Sequence, residues 1–159
     1  MQTLKGKFHY SVETHVDLRE MLAASEQKYS DSVAFRFRMN PTSEPETRTY
    51  KQFSNDCRAL GTVLTDLGLA AEKIAVIGEN SYGWAVTHTS VLNGVGVSVP
   101  LDRMLPADEV FNLLERSGAA AVFYDSTFHT DMMQAAERLP GQLRLLCCLR
   151  PDRVKTAEA

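Results

Sequence analysis

The chain has 159 residues, 44% hydrophobic and 23% charged, a composition that sustains a packed core and excludes general disorder. Its 17 basic and 20 acidic residues are well mixed and sum to a net charge of −3, so nothing recommends a nucleic-acid partner. No apolar run approaches the roughly 18 residues of a transmembrane segment, the first fifteen residues do not read as a secretory signal, and three cysteines, two of them adjacent, make no disulfide framework.

In chain order, residues 1–14 read as an N-terminal arm. Thr14-His-Val-Asp17 has capping-box spacing, and Leu18, Met21, Leu22, Ser25 and Tyr29 recur at helical spacing behind it. Ser30-Asp-Ser32 breaks that helix. Val33, Phe35 and Phe37 alternate with Ala34, Arg36 and Arg38, the pattern of a half-buried strand. The two prolines between Asn40 and Glu46 mark a loop, after which Arg48-Thr-Tyr50 returns as the second arm of a hairpin. Thr49-Tyr-Lys-Gln52 is a second capping box, and Phe53, Cys57, Leu60, Leu64 and Leu67 line one face of the helix it opens, which Gly68 closes.

The period then changes. Ile74–Ile77, Val97–Val99, Ala120–Tyr124 and Leu143–Leu149 are short continuous apolar runs. Helical patterns at Tyr82–Asn93, Pro106–Ser117 and Phe128–Leu139 separate them, the last two stopped by Gly118 and Gly141. Apolar strands alternating with amphipathic helices predict an α/β fold: a doubly wound, mostly parallel sheet over residues 15–150, preceded by a helix–hairpin–helix segment and followed by a tail, 151–159.

Few residues in these elements announce chemistry. Gly94-Val-Gly96 lacks a third glycine and lies between a helix and a strand, the reverse of a dinucleotide loop, and reads as a helix exit and turn. Gly78-Glu-Asn-Ser81 sits between a strand and a helix; it reads as a turn in which Asn80 or Ser81 caps the helix, with a ligand contact as the competing reading. Trp84 and His88, one helical turn apart, read as core or subunit packing, with the edge of an acyl tunnel as the alternative. Cys147 and Cys148 face opposite sides of a strand and, with His9, His15, His88 and His129 scattered, offer no metal geometry. Arg36, Arg38 and Arg48 gather positive charge near the hairpin, either as a solvated face or as an anion or headgroup contact. The chain has no Gly-x-Ser-x-Gly elbow, no phosphate-binding Gly-Lys-Ser/Thr loop and no His-Glu-x-x-His.

Several weak motifs occur in a fixed order between Val16 and Leu149. Thr49-Tyr-Lys-Gln-Phe53 leads to Leu64…Leu67-Gly-Leu69. Lys73-Ile-Ala-Val-Ile-Gly-Glu-Asn-Ser81 with Trp84 follows, then Val91-Leu-Asn-Gly94 and Val99-Pro-Leu-Asp102. Leu105-Pro-Ala-Asp-Glu109, Ser117-Gly118 and Ala121-Val-Phe-Tyr-Asp125 complete the series. In this order and spacing the stretch resembles the N-terminal part of adenylate-forming acyl-CoA synthetases, and the Glu79-Asn-Ser81…Trp84 and Pro100-Leu-Asp102 variants are most like the long-chain fatty acid branch. The resemblance implies a parent enzyme that uses ATP, magnesium and coenzyme A to convert a fatty acid to its thioester through an acyl-adenylate. The family's Thr-Gly-x-Pro-Lys loop, ribose-binding aspartate and C-terminal-domain lysine have no counterparts among these 159 residues. No catalytic, cofactor-binding or metal-binding residue therefore carries over, and the chain by itself is expected to hold no cofactor and to be inactive. A stand-alone α/β ligand-binding or dimerisation module is the alternative. The expected setting is the reducing cytoplasm, with peripheral membrane contact open. The expected partners are a fatty acid for the parent enzyme and a second copy of the chain, across the apolar surface beside Leu143–Leu149.

Overall fold

The computed structural model describes residue 6 and residues 13–40 and 42–154. The expected arm lies largely outside the described residues, as do the last five residues of the expected tail. Helix α1, Leu18–Tyr29, begins one box later than its spacing predicted. Asp17, not Thr14, is the N-cap; its carboxylate accepts from the Glu20 amide, and the Glu20 side chain accepts from the Val16 amide at 2.6 Å. An Asp serves as well as a Thr here, and Glu20 reaches the amide one residue before the cap rather than that of the cap itself. None of α1's residues is fully buried, and Leu18 and Met21 are exposed, so its apolar stripe is only half used.

Strands β1, Val33–Phe37, and β2, Glu46–Thr49, form the expected antiparallel hairpin, with an irregular step in the register between Val33 and Phe35. Thr49 then caps α2, Tyr50–Asp66, in a complete capping box with Gln52. Phe53, Cys57 and Leu64 on α2 are buried, and Leu60 is half-buried between two clusters. Leu67 does not continue the stripe. The helix ends at Asp66, so Leu67 swings out to 56% exposure, and Leu69, beyond the Gly68 turn, fills the core instead.

The second half is a four-stranded parallel sheet in the order β4-β3-β5-β6, built from Lys73–Ile77 (β3), Val97–Leu101 (β4), Ala121–Tyr124 (β5) and Leu145–Cys148 (β6). The last strand is shorter than its apolar run. Helices α3, Tyr82–Ser90, α4, Ala107–Ser117, and α5, His129–Arg138, connect the strands. The helix pattern expected through Asn93 stops at Ser90 and widens into a turn, Val91–Val95, in which the Gly96 amide reaches back to the Val91 carbonyl. The close packing there requires Gly96, because a Cβ would lie 2.1 Å from the Glu72 carbonyl oxygen. Gly94-Val-Gly96 is thus a helix exit feeding β4.

Alternate side chains of the sheet enter two cores, as the strand period demands. Ile74, Val76 and Phe123 meet Leu64, Val91 and Val95 on one face; Ala75, Ile77 and Val122 meet Val110, Leu114 and Met132 on the other. The two central strands are buried on both faces, which explains their unbroken apolar sequence. The winding reverses between β3, which connects outward to β4, and β5, which connects the other way to β6. In sheets of this kind that reversal opens a crevice at the carboxyl ends of the strands.

Candidate functional site

Each of the four parallel strands places a charged residue within two positions of its carboxyl end, and β4 places two, Asp102 and Arg103. Glu79 follows β3, Arg103 follows β4, Asp125 follows β5 and Arg150 follows β6. Their side chains join in a chain of alternating sign. Asp125 meets Arg150 at 2.9 Å, Arg150 meets Glu79 at 3.5 Å, and Glu79 meets Arg103 at 3.6 Å. The Asp125 side chain is 6% exposed and that of Arg150 14%, so this first pair is desolvated, while Glu79 and Arg103 stay half in water. Backbone bonds from Asp125 to Ile77 and from Leu149 to Tyr124 hold the strand ends in step. Gly78 is pressed against this cluster: its φ is +146°, and a Cβ would lie 2.6 Å from that of Asp125. Only glycine meets both demands.

Over these ends the N-terminal hairpin leans across to form a cleft of about 600 Å³, within the size range of small-molecule sites. Its apolar wall is Phe37 stacked on Tyr82, with ring centroids 4.9 Å apart and planes 4° apart, and the Arg48 guanidinium lies 5.6 Å from both rings. Tyr82 is fixed from behind by a 2.5 Å hydrogen bond to Asp56, and burial together with that acceptor pushes its hydroxyl well above the usual tyrosine range. Leu149 and Arg150 come from the far side, Glu79–Gly83 from the start of α3, and Arg38 and Arg153 from the rim. Arg38 donates to the Ser43 carbonyl and Arg153 to the Met39 carbonyl, so these two tie the hairpin loop and the chain after β6 to the cleft mouth.

Of the residues singled out in the sequence, Ser81 is the cap of α3, accepting from the Trp84 amide, and Asn80 and Ser81 also line the cleft. Both readings of that segment are therefore compatible with its geometry. Arg38 and Arg48 reach the cleft and Arg36 does not. Trp84 and His88 lie elsewhere. They stack at 4.9 Å, Trp84 packs against the sheet core, and the His88 Nδ1 pairs with the Ser98 hydroxyl on β4 at 2.7 Å. Burial lowers the His88 pKa and favours the neutral ring. Cys147 and Cys148 belong to opposite cores, and burial raises the Cys147 thiol. The strand-end charges are far apart in the chain; their one shared signal is a charged residue one or two places after each strand, which the apolar runs alone do not delimit.

Two kinds of likeness bear on this architecture. The family described as "AMP-binding enzyme" matches residues 22–158, most of the chain. The chain belongs to this family. A long-chain-fatty-acid–[acyl-carrier-protein] ligase of Arabidopsis thaliana chloroplasts is 27% identical over 128 residues, which cover 79% of this chain and 17% of that protein. Among solved structures, the N-terminal domain of FACL13 from Mycobacterium tuberculosis superposes with a TM-score of 0.71 at 22% identity, covering 91% of this chain and 37% of that one. An anthranilate CoA ligase bound to anthranoyl-AMP gives a TM-score of 0.73 at 16% identity, over 87% of this chain and 26% of that one. The fold is that of part of the N-terminal domain of adenylate-forming enzymes, and the chain spans about a sixth of the curated relative's length.

Proposed function

We propose that residues 15–150 form the N-terminal subdomain of an ATP-dependent acyl-CoA synthetase, an enzyme that converts a fatty acid, ATP and coenzyme A to acyl-CoA, AMP and pyrophosphate. The family match over residues 22–158 carries this reading. The fatty acid as substrate draws support from the Arabidopsis relative, whose name states a long-chain fatty acid ligase. On this reading the chain alone is inactive. Adenylate formation needs electrostatic stabilisation of a phosphorus centre by positioned donors and a metal on the phosphates. At the strand ends Glu79 and Asp125 are already held by arginines, and Asp102 accepts from the Met104 amide. Among the described residues no cluster of His, Cys, Asp or Glu suits a metal. No catalytic role is assigned to any of them.

The test compares this chain with the same chain joined to whatever follows it in its reading frame. Pyrophosphate exchange that depends on ATP and fatty acid is expected from the joined protein and not from the chain alone. Exchange by the chain alone would refute its inactivity, and none from the joined protein would refute the ligase reading.

A dimerisation role is the second reading, favoured by the outer edge of β6. This strand is half-buried along its length, and among the described residues only β5 pairs with it. Such an edge offers unpaired backbone groups to a second copy. Sedimentation should show a concentration-dependent dimer; a monomer throughout argues against it. No described helix is long and apolar enough to cross a membrane. The free thiols of Cys57, Cys147 and Cys148 suit a reducing cytoplasm, which we adopt as the proposed location.

A further inference from the structure

The cleft at the strand ends has a charge character opposite to that of the chain. The whole protein carries −3, yet the cleft is lined by four arginines, Arg38, Arg48, Arg150 and Arg153, against two glutamates, Glu46 and Glu79. These arginines are not equally committed. Arg48 is paired with Glu46 at 3.1 Å, and Arg150 is held by Asp125 and Glu79. Among the described residues Arg38 and Arg153 form no ion pair; each spends one nitrogen on a backbone carbonyl. A guanidinium has five N–H donors in a planar fork, so both retain donors, and no carboxylate among the described residues compensates their charge. They sit at the cleft mouth, where Arg153 touches the carbonyl of the residue after Arg38.

Beside them lies an apolar wall whose neighbouring charges, Arg48 with Glu46 and Arg150 with Glu79, are already paired. Phe37 and Tyr82 are parallel within 4°, and Tyr82 is anchored by Asp56. Leu149 adds an apolar patch opposite. A bare inorganic anion would use only the rim, and a neutral apolar molecule only the wall. We propose that this cleft binds a small organic anion, its carboxylate or phosphate held by Arg38 and Arg153 and its apolar body laid against Phe37 and Tyr82. Guanidinium pairs select carboxylate and phosphate oxygens through parallel hydrogen bonds, and a few charged donors at the rim of a mostly apolar cavity is the usual composition of a small-molecule site. The site goes beyond the ligase reading and holds without it, since every group in it belongs to this chain.

The test titrates the 159-residue protein, followed by amide NMR shifts, with four probes: benzoate, phenyl phosphate, benzyl alcohol and inorganic phosphate. Saturable shifts at residues 37–40, 79–83 and 149–153 are expected with benzoate, phenyl phosphate or both, and which of the two binds tighter identifies the charged end. Benzyl alcohol and inorganic phosphate should each bind at least about tenfold more weakly, a difference near 1.4 kcal/mol. The double variant R38Q/R153Q should lose about tenfold in affinity for the aryl anion. Benzyl alcohol binding as tightly as the aryl anions, inorganic phosphate doing so, shifts that map elsewhere, or no saturation by either aryl anion would each overturn the proposal. The probe comparison needs no variant, so a folding defect in R38Q/R153Q leaves it intact. Pyrophosphate exchange plays no part in it, so its failure is separate from failure of the ligase reading.

Discussion

The parallel sheet and the N-terminal preface are held by different physics. In the sheet and the helices that follow its strands, β3 and β5 are closed to water on both faces, and Leu114, Ile74, Ile77 and Met132 are fully buried. In the preface, α1 has no fully buried residue; Leu22 packs against the Phe53–Cys57 cluster, and polar ties add to this contact, Glu26 accepting from Ser54 at 2.6 Å and from Arg58 at 2.7 Å. Between them lies an aromatic seam in which Phe35, Phe37, Phe53 and Tyr82 meet within 4.7–6.2 Å. Burial in the sheet cannot be weakened in part without a cavity, whereas solvated ties can be exchanged for water at little cost. The sheet, with α2 packed on it through Leu64, should therefore govern global stability, and α1 should loosen locally first.

The strongest way to break this contrast is to remove Arg150. In Arg150→Met the Asp125 carboxylate stays buried without its partner, and the expected loss is about 3–5 kcal/mol in chemical denaturation. A second change, Asp125→Leu, should restore part of it; a loss that persists unchanged would mean that the pair is not the cause. Next comes Leu114→Ala, which opens a cavity between α4 and the sheet and should cost about 2–5 kcal/mol. The aromatic seam stands lower: Tyr82→Phe removes the bond to Asp56 and should cost about 1 kcal/mol. A cost equal to that of Leu114→Ala would place the seam with the sheet rather than between the two regions.

The polar ties of α1 give a smaller effect that depends on pH. Hydrogen bonds from Arg58 first and Ser54 second lower the Glu26 carboxyl from 4.5 to about 2. A carboxyl lowered in the folded state adds stability above its unfolded pKa and loses it as pH falls through the folded value. The docking of α1 should thus be complete above pH 4.5 and weaken toward pH 2, with amide exchange in Leu18–Tyr29 rising before that in Ala121–Tyr124. In Glu26→Gln this pH dependence should shrink to the part that the Asp17 cap contributes, with a stability change under about 1 kcal/mol at neutral pH because Arg58 is half exposed. Simultaneous exposure of α1 and β5 across that range would show that preface and sheet unfold as one unit.

The sequence by itself determined the elements and their class. Four apolar runs separated by amphipathic helices could satisfy their backbone and bury their side chains only as a parallel sheet covered on both faces, and the Thr49–Gln52 box and Gly118 marked helix ends through purely local geometry. Local competition already limited that reading: Asp17 displaced Thr14 as a cap, and Leu67 left the stripe because the helix ended one residue before it. Tertiary structure alone decided the strand order, and with it which residues share the carboxyl edge. Glu79, Arg103, Asp125 and Arg150 are separated by tens of residues, and Phe37 reaches Tyr82 only because the hairpin leans over α3. Periodicity reports which face of an element is apolar, a property of neighbours along the chain. A cleft is a property of elements brought together, and its charge and its flat apolar wall exist only once the sheet has ordered its strands.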